Sequence, residues 1–250
     1  MNMVVFFILG LVLGSFLNVL LFRLDREEGI IWGRSKCPKC KTQLKWRDMI
    51  PLLSFILLKS KCRYCKEQIS FIYPVVEFLT GLTFALFYTQ LGFPFNISNI
   101  FQFILIYFFI AILFFDYLYY VIPDKIVLPL ILASLALAVT IRRPELINLL
   151  TSGLIFGGFF AILYIISKGR WIGLGDAKLS LLIGLSFGYP NSFFIVVGSI
   201  WTAALWGLIL IVFKKASFKS ELPFGSFLAA YSILLIIYQY EIQKITYLFT

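Results

Sequence analysis

The chain contains no histidine, and Asp, Glu, Lys and Arg together make up only 14% of its 250 residues. Without imidazole, any proton-transfer or metal site has to be built from carboxylates, thiols and amines. The shortage of charge excludes a soluble globular domain. With 61% hydrophobic residues and a mean hydropathy of +0.95, there is too little polar surface to cover the core such a chain would form. The solvent for most of it is lipid. The formal charge of +10 does not indicate nucleic acid, because the basic residues are not spread along a soluble face. No internal repeat, low-complexity tail or glycine-rich nucleotide fold stands out.

Six stretches carry no charged residue: 1–22, 78–115, 126–141, 146–167, 179–213 and 222–240. A membrane helix needs about 20 residues, so 78–115 and 179–213 each hold two crossings. They divide at Gly92-Phe93-Pro94-Phe95-Asn96 and at Gly188-Tyr189-Pro190-Asn191. The expected fold is an all-α polytopic membrane protein of about eight transmembrane helices. Residues 1–22 form the first crossing, 23–71 a cytoplasmic insert before the second, and 72–250 the remaining seven-helix core. With both termini outside, the cytoplasmic loops hold 19 of the 22 Lys and Arg residues. Arg142, Arg143 and Lys244 are the exceptions. Residues 1–22 lack a basic start and a small-residue cleavage site, which predicts an uncleaved helix rather than a signal peptide.

The insert holds 12 basic and 5 acidic residues and all four cysteines, Cys37, Cys40, Cys62 and Cys65. Two C-x2-C pairs make a tetrahedral thiolate site suited to structural zinc, so a zinc ribbon is expected. The surrounding lysines and arginines offset the charge of the four thiolates. Disulfides are the alternative, but they rarely persist in the cytosol. Residues 50–58, Ile-Pro-Leu-Leu-Ser-Phe-Ile-Leu-Leu, form either the small core of this ribbon or a segment lying on the membrane surface.

Glu77, Asp116 and Asp176 lie within or against the apolar spans, where an ionisable group costs about 2.5 to 3.5 kcal/mol on insertion scales. Asp116 closes the third span among aromatic residues. Asp176 follows Gly173-Leu174-Gly175 at the start of the sixth, where it is read either as a plain helix cap or as a catalytic acid. Both fall at cytoplasmic helix ends. Two carboxyls meeting in a poorly solvated site cannot both ionise, so one serves as base toward water while its partner donates a proton. That is aspartyl protease chemistry. Asp124 is read as catalytic support or as the N-cap of the fourth span, Glu77 as a site residue or a helix-packing partner, and Asn18 and Gln102 as polar ties between helices. A proton-coupled transporter and a non-catalytic zinc-ribbon scaffold are the rival readings.

In order along the chain stand Gly14-Ser15-Phe16-Leu17-Asn18-Val19, Cys37-Pro38-x-Cys40, Asp48-Met49-Ile50-Pro51, Cys62-Arg63-Tyr64-Cys65, Tyr73-Pro74-x-x-Glu77, Asp116 with Ile122-Pro123-Asp124, Gly173-Leu174-Gly175-Asp176-Ala177-Lys178 and Pro223-Phe224-Gly225. Over nearly its whole length the chain resembles the prepilin peptidases. The resemblance implies catalysis by Asp116 and Asp176, with Gly173, Gly175, Lys178, Asp124 and Glu77 as supporting residues. It implies cleavage of basic leaders from prepilins or pseudopilins after Gly, at the cytoplasmic face of a bacterial inner membrane, in a type IV pilus or type II secretion setting. It also implies N-methylation of the new terminus with S-adenosylmethionine, whose binding residues stay unassigned. Two positions depart from the family pattern. Lys59-Ser60 stands where a glycine is common before Lys61-Cys62, and Ser226 replaces a proline.

Overall fold

A computed structural model describes residues 2–24, 35–91, 96–215, 217 and 220–248, with 240–248 as helical backbone only. The helices are α1 Asn2–Arg23, α2 Leu53–Leu57, α3 Ile72–Gln90, α4 Ile97–Tyr119, α5 Asp124–Thr140, α6 Leu146–Ser167, α7 Leu174–Phe187, α8 Asn191–Val212 and α9 Phe224–Leu248. Apart from the short α2, these are the eight long helices expected, and no strand forms among the described residues beyond isolated bridges. The chain is an all-helical, multi-pass membrane protein. Among the described residues α1, α3, α4, α6 and α8 are long and apolar enough to cross a bilayer. α7 has 14 residues, which at 1.5 Å each is about 21 Å, short of a hydrocarbon core of about 30 Å. Most of its residues are buried, and it packs against α5 and α6.

The proposed turn at 92–95 lies outside the described residues. Beyond it Asn96 caps α4, its Oδ1 accepting the Asn99 N–H at 2.8 Å. The second proposed turn is present, with Gly188 at φ +65° between α7 and α8.

By their internal contacts the residues form two units, 1–111 with 236–250 and 112–235. In the first, α1 packs along α3. A Cβ on Gly10 would lie 2.6 Å from the Thr80 oxygen, and one on Gly14 would lie 2.8 Å from the Glu77 Cα. This small-x3-small spacing lets the two backbones meet, and it brings Asn18 to donate to the Tyr73 carbonyl at 3.0 Å. Gln102 donates to Gln239 at 3.0 Å, so both polar residues tie helices together as expected.

In the second unit α6 and α7 repeat the device. A Cβ on Gly184 would lie 2.5 Å from the Gly153 backbone. Arg142, one of the basic residues expected outside, has a structural task here: it donates to the Ser186 carbonyl at 2.6 Å at the C-terminal end of α7 and pairs with Glu145.

The stretch 50–58 is not a ribbon core. Ile56 and Leu57, on α2, are 68% and 71% exposed, and such an apolar face favours the membrane-surface reading.

Candidate active site and metal centre

Asp116 lies in the last turn of α4, which continues past it to Tyr119, and is buried. The helix extends because the Tyr120 N–H still bonds back to the Asp116 carbonyl at 2.9 Å. Its carboxylate Oδ2 accepts the Ser226 N–H at 2.6 Å, and the single Ser226 hydroxyl hydrogen is shared between that Oδ2, at 3.1 Å, and the Leu113 carbonyl, at 2.9 Å.

Asp176 is not the N-cap of its helix. Gly173 holds that position, and α7 begins at Leu174. Asp176 stands in the first turn and reaches back, its Oδ2 accepting the Gly173 N–H at 3.1 Å. The acid position of a capping box behaves in this way. The Asp116 and Asp176 carboxyls lie close enough for their charges to repel.

Ile122 joins the two loops around the pair. A Cβ on Gly175 would lie 2.9 Å from the Ile122 Cβ, and one on Gly225 would lie 2.6 Å from the Ile122 Cδ1 and 3.1 Å from the Asp116 Cγ. Gly175 is therefore required by space, and a side chain at Gly225 would displace the tip of Ile122 and press on Asp116. Gly173 is not confined in this way: a Cβ there would meet only the Asp176 carboxylate, at 3.5 Å. What the site uses at Gly173 is its N–H. Asp124 is not an N-cap either, because Pro123 takes that place. It instead receives Lys178 on both carboxylate oxygens, at 2.7 and 2.8 Å. The pair is half-exposed, so it contributes about 1 kcal/mol or less. Its geometric effect is to tie the start of α5 to the first turns of α7.

Of the supporting residues, Gly173, Gly175, Asp124 and Lys178 thus share one unit with the aspartates. Glu77 belongs to the other. Its Oε2 accepts the Leu52 N–H at 2.9 Å, and Leu52 has φ +57°. A leucine at this sparsely populated positive φ costs about 1 to 3 kcal/mol, and a hydrogen bond to a charged group returns about 1.5 to 3. Glu77 can therefore hold the Asp48-Met49-Ile50-Pro51-Leu52 loop in a strained form.

The four cysteines are free thiols whose sulfurs all lie within 4.8 Å of one another, with Cys37 and Cys65 3.9 Å apart. Tetrahedral zinc with bonds of about 2.3 Å sets its sulfurs about 3.8 Å apart. The cluster fits a metal. Hydrogen bonds from the Thr42 side chain and backbone draw the Cys40 thiol down to about 6. Cys65, although the Glu67 backbone favours its thiolate, is pushed up to about 11 by desolvation and by the other thiols.

The two knuckles are copies of one another. Lys36 bridges to Gln43 as Lys61 does to Gln68, and the Lys41 and Lys66 N–H groups return to Cys37 and Cys62 at 2.9 and 3.0 Å. Both lysines are left-handed, at φ +58° and +61°. The signal is K-C-x-x-C-K-x-Q, present twice in the sequence. Asp48 braces the second copy, accepting Arg63 at 2.6 Å and Tyr64 at 3.3 Å.

Ser226 is the site residue that sequence reasoning missed as a functional group. Its signal was the departure from proline, since only a non-proline residue can supply the N–H that Asp116 accepts.

Residues 8–91 match the bacterial peptidase A24 N-terminal domain, and residues 103–208 match the type IV leader peptidase family. A prepilin leader peptidase/N-methyltransferase of Bacillus subtilis is 32% identical over 94% of this chain and 93% of its own length. The chain belongs to the type IV leader peptidase family. Relatives of the same description from Aeromonas salmonicida and Myxococcus xanthus are 27% and 29% identical over 89% and 82% of this chain. The chain spans 86% of the first and 62% of the second. No solved structure matches.

Proposed function

We infer that the protein is a prepilin leader peptidase that also N-methylates its product. The observation that carries the reading is the Asp116 and Asp176 pair, framed by Ile122, Gly225 and Ser226 in a member of this family. One carboxylate takes a proton from water as the water attacks the scissile carbonyl, and the other carboxyl donates a proton toward the carbonyl oxygen. Ser226 and Gly173 each donate to one oxygen of a carboxyl and so orient the pair.

The substrates are prepilins or pseudopilins with a short basic leader, cut after Gly. Both termini lie outside, and the insert and the aspartates face the cytoplasm. The asymmetry of Lys and Arg supports this orientation. Cys37, Cys40, Cys62 and Cys65 hold one structural zinc, which fastens the two knuckles together. S-adenosylmethionine supplies the methyl group for the new N-terminal amine, usually that of a phenylalanine. The carrier and scaffold readings find no support in relatives whose names all specify leader processing.

The test is conversion of a basic-leader prepilin by wild type, Asp116→Asn and Asp176→Asn expressed equally in membranes. Each variant loses cleavage by about three orders of magnitude or more, and the double variant is scarcely worse than either single one, because the pair acts as a unit. Near-normal processing by either single variant would rule out the two-carboxylate mechanism.

A further inference from the structure

We propose that the segment 49–58, with α2 at its centre, is a membrane foot that dips into the leaflet at the Arg23 end of α1. The exposed face of α2 is covered by lipid acyl chains, so the insert is fixed to the bilayer by an apolar wedge as well as by the two helices it joins.

The segment from Met49 to Leu58 carries no charge, and it is bordered by Lys45-Trp46-Arg47-Asp48 before and Lys59-Ser60-Lys61 after. Lys45, Arg47, Lys59 and Lys61 are all exposed. Cations and a tryptophan at the edges of an apolar run settle at the headgroups, where phosphates receive the charge and the indole spans the boundary. Arg47 lies over the Trp46 ring at 5.3 Å, so the two share one level.

Hydrogen bonds to the membrane helices fix the depth. Glu77 of α3 accepts the N–H of Leu52, the residue before α2, and also the Ser15 hydroxyl of α1. At about 1.5 Å per residue, Glu77 lies about 8 Å along α3 from Ile72, and Ser15 about 12 Å along α1 from Arg23. An interfacial helix sinks its apolar face by about 5 to 10 Å, so α2 begins at the depth such a helix occupies. Phe55 packs edge-on against Phe71, the residue before α3, with ring centroids 5.3 Å apart. Phe55 and Leu58 also line one cleft with Val12 and Phe16 of α1. Leu53, Ile56 and Leu57, at i, i+3 and i+4, form a second face, and all three are exposed.

Lipid tolerates such a segment only where its backbone is satisfied within the protein. Leu52 donates to Glu77, Ser54 to the Ile50 carbonyl, Leu58 to that of Ser54 and Ser60 to that of Phe55. The left-handed Lys59 and Ser60 then turn the chain out toward Lys61. A solvated Leu52 N–H would need no carboxylate from a membrane helix, whereas one at membrane depth does.

The test is photo-crosslinking of the full chain in nanodiscs of phosphatidylethanolamine and phosphatidylglycerol. The photoreactive p-benzoylphenylalanine takes the place of Leu57 or, as a reference, of Lys66, which is exposed on the second knuckle and does not line the cleft. Mass spectrometry reads the adducts. Position 57 yields phospholipid adducts about fivefold or more above position 66. Adducts to a second copy of the chain, or equal lipid yields at the two positions, overturn the proposal. Hydroxyl-radical footprinting of the unsubstituted chain in the same discs removes any dependence on how a variant folds. After correction for intrinsic reactivity, Leu53, Ile56 and Leu57 are oxidised about fivefold or more below Tyr64, and oxidation equal to that of Tyr64 overturns the foot.

Discussion

The two units use acidic residues in opposite ways. In the first, Asp48 and Glu77 are tied into the backbone and side chains of the insert, holding Arg63, Tyr64 and Leu52. They shape a wall. In the second, Asp116 and Asp176 are set against each other, with Ser226 and Gly173 each donating to one oxygen of a carboxyl. The difference teaches that a carboxylate's task is read from its partners: one enclosed by donors is structural, and one facing a like charge is available for chemistry.

If that contrast holds, disrupting each unit should have separate consequences. The largest effect expected in the first unit follows from Cys37→Ser combined with Cys40→Ser, which should take the metal content from one zinc per chain to none. Equal zinc in both proteins by metal analysis would break the assignment. In the second unit, Ser226→Ala removes a hydroxyl donor but keeps the N–H to Asp116. Cleavage should fall about tenfold, the worth of one hydrogen bond to a charged group at about 1.4 kcal/mol. Prepilin conversion rates separate this outcome from a purely structural serine.

A smaller effect concerns Asp48. Burial raises its pKa, but the Arg63 hydrogen bond, the Lys45 N–H and the Arg63 charge outweigh this and hold it below the usual carboxylate range. A depressed folded value means that its contribution is present above the unfolded value of about 3.9 and is lost as pH falls through the folded one. At neutral pH Asp48→Asn should therefore be about 1 kcal/mol less stable than wild type. That gap should close as pH drops below about 4, in thermal unfolding of the two proteins side by side. Thiol protonation is common to both and cancels in the difference.

The smallest effect is expected at Ser60. Lys59 and Ser60 both have left-handed backbones, at φ +50° and +60°. This is the physical reason a glycine is common at this point, and it explains the departure noted in the sequence. Ser60→Gly should stabilise the insert by about 1 kcal/mol, seen as a raised unfolding midpoint, and leave the zinc content alone.

The long helices were legible because a bilayer demands uncharged runs of fixed length, and their ends moved only where helices continued into polar residues, as α4 does past Asp116. The cysteine cluster was legible because spacing alone brings the pairs together. Partners distant in sequence were not. Nothing local ties Glu77 to Leu52, or Ser226 to Asp116 across 110 positions. The two acids read as caps failed for a local reason: Gly173 and Pro123 occupy the cap positions, so each aspartate falls inside the first turn. The duplicated knuckle was visible but masked by its cysteines, which drew attention from the flanking Lys and Gln that repeat with them.

The central claim is that the Asp116 and Asp176 pair cuts while the insert-bearing unit serves methylation. The most direct measurement is mass spectrometry of the substrate N-terminus after incubation with a basic-leader prepilin and labelled methyl donor, for Asp176→Asn and for the Cys37→Ser, Cys40→Ser variant. The account predicts that Asp176→Asn leaves the prepilin uncut yet still methylates a pre-cleaved pilin, and that the cysteine variant delivers cut but unmethylated chains. Normal cutting by Asp176→Asn, or a cysteine variant that methylates but no longer cuts, would contradict it.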